Sequence, residues 1–154
     1  MTPKKLYGFF SVGEAITWGL LISALISRAL GDLIPNAVTI AGSIHGAMFL
    51  SYCTTAVLVG VNQRWKFGKI AAAVALAIVP FATVPWDRRL LKRNALEGSW
   101  RTEKSDHPSD SGWFDSLFRW FIARPVLLVL TLVIAVAVIF AVLLSLGSPT
   151  TWFR

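Results

Sequence analysis

The chain has 154 residues, room for one compact domain. Hydrophobic residues make up 55% of it and charged residues only 15%, against about 25% in an average soluble domain, and the mean hydropathy is +0.63. That composition excludes disorder, a collagen-like chain and an ordinary soluble enzyme, and a lone cysteine excludes a disulfide framework or a Cys-rich metal site. What remains is an integral membrane protein.

Four stretches approach or exceed the roughly 20 apolar helical residues that cross a hydrocarbon core of about 30 Å. The first runs from about Phe9 to Leu30 and ends in a helix-breaking cluster of Gly31, Asp32, Pro35 and Asn36. It is longer than a signal-peptide core, holds Glu14 and lacks a small-residue cleavage site, so it is expected to stay as a span. The second covers about 38–61 and ends at Asn62-Gln63-Arg64. The third, about 69–86, is short and carries Pro80 and Pro85. A polar connector over 94–124 follows, Ser- and Asp-rich and mobile in its middle. Its end, WFDSLFRWFIAR, places Trp113, Phe114, Leu117, Phe118 and Phe121 at helical spacing. That pattern fits an amphipathic helix in the interface or an upstream extension of the last span. The fourth stretch, 125–146, contains no ionisable residue, starts at Pro125 and stops at Gly147 and Pro149.

The expected fold is therefore an all-α membrane bundle of four transmembrane helices with a short interfacial helix before the last. A three-helix domain over 1–93 precedes the connector and the fourth helix. Six of the seven tryptophans lie outside the spans or at their ends, where indoles prefer the headgroup level; Trp18 alone lies inside.

Although the net charge is +7, the basic residues gather in short patches at the ends of apolar runs, as anionic headgroups select. Nucleic acid is not an expected partner. Four spans would put six Lys and Arg on the side of both termini and nine on the side of the 87–124 connector, favouring a cytoplasmic connector. That count is close, and the conflict vanishes if the proline-broken third stretch does not cross.

On the second stretch Gly42, His45, Gly46, Phe49, Tyr52, Cys53, Ala56 and Gly60 share one helical stripe. Gly42-x-x-x-Gly46 invites close approach of another backbone. Ser11, Ala15, Gly19, Ser23 and Ser27 recur every fourth residue on the first stretch, and the two ridges suggest a hairpin packed through small faces. Glu14 and His45 are the ionisable residues within the apolar runs, which by default marks a function or a buried partner. With a turn near residue 34, Glu14 lies about 24 Å from the end of its helix and His45 about 12 Å from the start of the next. Different depths argue against a direct pair. Tyr52 is then the expected partner of Glu14, an uncharged acid donating one hydrogen bond in a desolvated setting, with partial solvation near the membrane surface as the alternative. His45 is expected to satisfy the Leu76 carbonyl that Pro80 frees, with a proton-relay or ligand role as the alternative. Arg28 and Asp32 are spaced to pair.

No nucleotide-binding, metalloprotease or serine-hydrolase motif is present, and His107 stands apart from any motif. No enzymatic activity, cofactor or metal is expected.

Phe9-Phe10, Glu14, the IHGAMFLSY run from Ile44 to Tyr52, Trp65 in a basic turn and VPFATVPWDRR from Val79 to Arg89 resemble a small bacterial membrane family, domain of unknown function 3817. The resemblance covers about residues 6–93. It implies a three-helix membrane domain with a His-Gly hallmark, here His45-Gly46, sometimes fused to transporter domains, and no assigned activity. The expected role is an accessory or scaffold subunit of a larger energy-transducing or transport complex in the bacterial plasma membrane. Its partners would be the bilayer and other membrane subunits or a second copy. A small transporter or transporter-associated module using Glu14 and His45 as titratable groups is the alternative.

Overall fold

A computed structural model describes residues 1–31, 33–107, 110 and 112–146. Among them the chain forms six helices: α1 (Pro3–Ala29), α2 (Ala37–Asn62), α3 (Phe67–Leu76), α4 (Thr83–Lys92), α5 (Trp113–Ile122) and α6 (Pro125–Ser145). Three of them, α1, α2 and α6, are long and apolar enough to cross a membrane, and α3 is a shorter apolar helix. The protein is an all-helical membrane protein. It divides into two compact units, Met1–Ser99 and Trp100–Arg154.

In the first unit the usual arrangement of polar and apolar surface is inverted. The buried stripe of α1 is Pro3, Tyr7, Ser11, Glu14, Thr17, Ala24 and Ser27, most of it polar. Phe9, Val12, Ile16 and Leu20 face outward, Ile16 being 60% exposed. A helix in water would bury the second set. In lipid the polar groups must find partners inside the protein, and apolar side chains are indifferent to facing fat. α1 opens with Thr2, whose hydroxyl accepts from the Lys5 N–H, followed by Pro3 at a position that needs no donor.

α1 and α2 pack antiparallel in a register set by the turn. Gly31 takes φ +111°, and the Leu33 N–H donates to the Ser27 carbonyl, so the chain doubles back beside the last turn of α1 before α2 begins. Leu21 consequently meets Gly42, Thr17 meets His45, Gly13 meets Met48 and Tyr7 meets Tyr52. A turn centred on residue 34 would have put Gly13 opposite position 55. The observed register differs by about seven residues, or about 10 Å along the helix.

The small-residue ridges pack differently from expectation. On α1, Ser11 and Ser27 are buried, Ala15 and Gly19 half-buried and Ser23 exposed. A strict four-residue repeat drifts about 40° per step around a helix of 3.6 residues per turn, so it leaves the interface that alternating steps of three and four follow. Gly42 and Gly13 accommodate the side chains of Leu21 and Met48 rather than a bare backbone. Gly46 is half-buried. The tightest approach is at Gly60, where a Cβ would lie 2.6 Å from Ile70 Cγ1.

The third apolar stretch is two helices, not one. The Ala77, Ile78 and Val79 N–H groups each donate three residues back, to Val74, Ala75 and Leu76, tightening the end of α3. Pro80 has no N–H to continue, and Phe81 adopts φ +63°. Pro85 lies within the first turn of α4, where a missing N–H costs nothing. One proline thus ends a helix and the other helps to begin one. Each ten-residue helix is about 15 Å long, half of a hydrocarbon core. α3 packs on α2 and α4 on α1, through contacts that place their ends. Ile70 lies against Gly60 and the Ala73 carbonyl accepts from Tyr52. Ala77 reaches the level of Trp18, Thr83 that of Ser11 and Asp87 that of Gly8. Beyond α4, the Ala95 carbonyl accepts from the Trp65 indole and Glu97 pairs with Lys4 at 2.6 Å. The chain therefore goes up with α3 and comes back with α4.

In the second unit, the connector read as solvated and mobile has a built centre at Asp110, 1% exposed. Arg101 donates to Asp110 at 3.0 Å and to Asp115 at 2.8 Å, and the Ser105 N–H and hydroxyl donate to the other Asp110 oxygen. α5 is distinct from α6, the two being separated by Ala123 and Arg124. α6 presents apolar side chains around its circumference, Val126 being 73% exposed. Asp32, the expected partner of Arg28, lies outside the described residues, as do Gly147, Pro149 and Trp152.

Candidate functional site in the helical core

The staggered register brings together the two ionisable residues that depth arithmetic had separated. Glu14 is fully buried, and its Oε2 lies 3.9 Å from His45 Nδ1. The expectation that they sit at different depths is corrected by the doubled-back turn, which slides α2 down along α1. Thr17 completes the group: its hydroxyl donates to the Glu14 carbonyl at 3.0 Å and lies 3.1 Å from His45 Nδ1. With its one proton committed to the carbonyl, Thr17 Oγ1 acts as acceptor there and assigns the imidazole proton to Nδ1. Trp18 covers the imidazole at a centroid distance of 4.4 Å, with Phe49 on another side at 6.3 Å. Neither carboxyl oxygen of Glu14 has a hydrogen-bond partner among the described residues. The buried carboxyl and imidazole are in contact but beyond hydrogen-bonding distance, so passing a proton between them would require a closer approach.

The anticipated partners of both residues are engaged elsewhere. Tyr52, expected beside Glu14, shares a 2.9 Å hydroxyl–hydroxyl hydrogen bond with Tyr7 and donates to the Ala73 carbonyl at 3.3 Å. Tyr7 and Tyr52 meet edge-on at 5.7 Å, and Trp65 packs edge-on against Tyr7 at 5.9 Å. The Leu76 carbonyl, expected to take a proton from His45, accepts the Val79 N–H. The donor at the break is instead Trp18, whose indole N–H reaches the Ala77 carbonyl at 3.0 Å. On the far side of Glu14, the Thr83 hydroxyl donates to the Ser11 carbonyl at 3.0 Å. The α3–α4 turn is thus pinned to α1 about one helical turn to either side of Glu14.

Reading the sequence singled out Glu14, His45 and Tyr52 but passed over Tyr7, Thr17 and Thr83. A signal for the α1 residues was available: Tyr7, Ser11, Glu14 and Thr17 step along α1 by four, three and three, the spacing of one buried face. Gly19 and Gly42 stand near this group, with the Phe81 and Leu21 side chains 3.9 Å from the place a Cβ would take, and Gly46 directly follows His45. Among the described residues no group of three or more His, Cys, Asp or Glu is placed to hold a metal ion.

The description "Domain of unknown function (DUF3817)" matches residues 4–92, more than half of the chain and nearly all of its first unit. The chain belongs to the DUF3817 family. Two relatives are membrane proteins by name. "Putative membrane protein SCO5905" of Streptomyces coelicolor is 30% identical over 89 residues, which are 55% of this chain and 10% of that protein. "Uncharacterized membrane protein YdzA" of Bacillus subtilis is 37% identical over 57 residues, 37% of this chain and 59% of that one. The chain therefore spans less than two thirds of either relative's length. No solved structure is significantly similar. The DUF3817 region contains all the side chains of the Glu14–His45 group and of the turn that flanks it.

Proposed function

We propose that this DUF3817 protein is a non-enzymatic, multi-pass accessory subunit of a larger complex in the bacterial plasma membrane, of energy-transducing or transport type. The supporting observation is the relation between module and host. The region shared with the Streptomyces relative is a tenth of that protein's length, so there the same unit is built into a much larger chain named as a membrane protein. A unit of this kind is suited to packing against a larger membrane host. The outward faces of α1, α2 and α6 are apolar and match either lipid or the flank of another membrane protein. Affinity purification in a mild detergent, followed by mass spectrometry, tests the reading. A larger membrane protein is expected in stoichiometric amount. A monodisperse free monomer or homo-oligomer would count against it.

The contact between Glu14 and His45 favours a second reading, a small transporter or transporter module in which the two act as titratable groups. Reconstitution with flux measured across pH, comparing Glu14→Gln and His45→Ala with the parent, separates the two. Unchanged flux in both variants removes it.

A further inference from the structure

The side-chain contacts of α3 and α4 give the third apolar stretch a direction that composition leaves open. α3 starts beside the end of α2, where Ile70 meets Gly60, and climbs until Ala77 meets Trp18. α4 starts beside Ser11 and descends until Asp87 meets Gly8, and the chain after it reaches Trp65 and Lys4 again. The Asn62 side chain, closing α2, donates to the Ser99 carbonyl at 3.1 Å. Both feet of the stretch therefore stand at the end of the bundle that holds the N-terminus of α1.

We propose that α3 and α4 form a re-entrant hairpin, entering and leaving the membrane on the cytoplasmic face and laying its turn as a cover over the Glu14–His45 pair. Charge supports the orientation independently of the contacts. Ten Lys and Arg lie in residues 1–99. Lys4 and Lys5 open α1, Arg64, Lys66 and Lys69 surround the α2–α3 turn, and four more lie between Arg88 and Arg93. The hairpin gathers these nine at one end and leaves Arg28 alone at the other, a decisive bias where four crossings leave a near balance. Proline chemistry supports the turn: irregular backbone at membrane depth is tolerated only where protein covers it or it lines a cavity, and here α1 supplies the cover on one side through Trp18 and Ser11. The same two bonds bracket Glu14, so the hairpin turn closes over the acid that it flanks.

Substituted-cysteine labelling decides the topology. The native thiol is removed by Cys53→Ser, and single cysteines are placed at Ile34, Arg64 or Ser99 of the full chain, all at exposed positions. With a membrane-impermeant maleimide, Arg64→Cys and Ser99→Cys should react in inside-out vesicles and be protected in right-side-out ones, and Ile34→Cys should do the reverse. Reaction of Arg64→Cys and Ser99→Cys from opposite faces overturns the hairpin, and reaction of both from outside overturns the orientation. The covering role has its own readout, modification of Glu14 by an apolar carbodiimide, located by mass spectrometry. Trp18→Phe combined with Thr83→Val should raise its rate several-fold relative to the parent, with Glu14→Gln as the unreactive control. An unchanged rate with both pins removed overturns the cover.

Discussion

At the scale of single residues the unit is held by polar groups whose alternatives in lipid are poor. Tyr52 has two roles, bonding the Tyr7 hydroxyl and donating to the Ala73 carbonyl, and Tyr7 has one. Tyr52→Phe strands both partners and is expected to cost about 1–3 kcal/mol, the usual cost of orphaned buried polar groups. Tyr7→Phe leaves the Tyr52–Ala73 bond intact and should cost less. Thermal unfolding in detergent should rank the two in that order, and the reverse order would refute the assignment. The glycines divide similarly. Gly60→Ala puts a methyl 2.6 Å from Ile70 and is expected to destabilise by about 1–3 kcal/mol, relieved in a Gly60→Ala/Ile70→Ala double variant. Gly42→Ala meets only ordinary contact, at 3.9 Å from Leu21, and should be tolerated. Glu14 and His45 stand out in the sequence because lipid penalises charge wherever it occurs along a chain. Their contact does not, because it depends on how far α2 slides along α1.

At the scale of elements, the two prolines of the third stretch have opposite roles. Pro80 follows a tightened end of α3 and precedes a left-handed Phe81, whereas Pro85 occupies the first turn of α4. Pro85→Ala should therefore change stability by less than about 1 kcal/mol, since it restores a donor where the helix has no acceptor. Trp18→Phe keeps a ring over His45 but withdraws the donor from the Ala77 carbonyl, and about 1–3 kcal/mol of stability should be lost. Denaturation of the two variants side by side in one detergent checks both. The break itself was visible in the sequence as a short, proline-bearing stretch. The direction of the chain after the break was not, because proline interrupts a helix without dictating where the next one points.

At the scale of the whole molecule, the first unit closes on itself. Leu90 and Leu96 are buried, Trp65 donates to Ala95, and Asn62 donates to Ser99, all within Met1–Ser99. The Lys4–Glu97 pair is half exposed and adds little. A chain ending at Ser99 is expected to insert in the membrane and retain the helicity of residues 1–99 and a cooperative melt within a few degrees of the full-length protein's. Far-UV circular dichroism with temperature provides the measurement, and a non-cooperative melt would show that α5 and α6 are needed. Membrane class, the all-helical fold and the bounds of α2 and α6 could be read from composition and hydropathy, which act locally: any run of apolar residues in lipid must satisfy its own backbone by coiling. The built centre of the polar connector at Asp110 was not legible, because its partners Arg101, Ser105 and Asp115, all within nine residues, follow no regular helical or strand spacing.

What the sequence by itself determined is the solvent: 55% hydrophobic residues in long runs, with acid and imidazole embedded in them, specify helices in a membrane. What only the tertiary structure decided is adjacency, namely that Glu14 touches His45, that Tyr52 serves Tyr7, and that the third stretch turns back over both helices. The reason is that hydropathy is a sum over neighbours in the chain. The register between helices, in contrast, is settled by a single doubled-back turn at Gly31 and by which side chains then interlock.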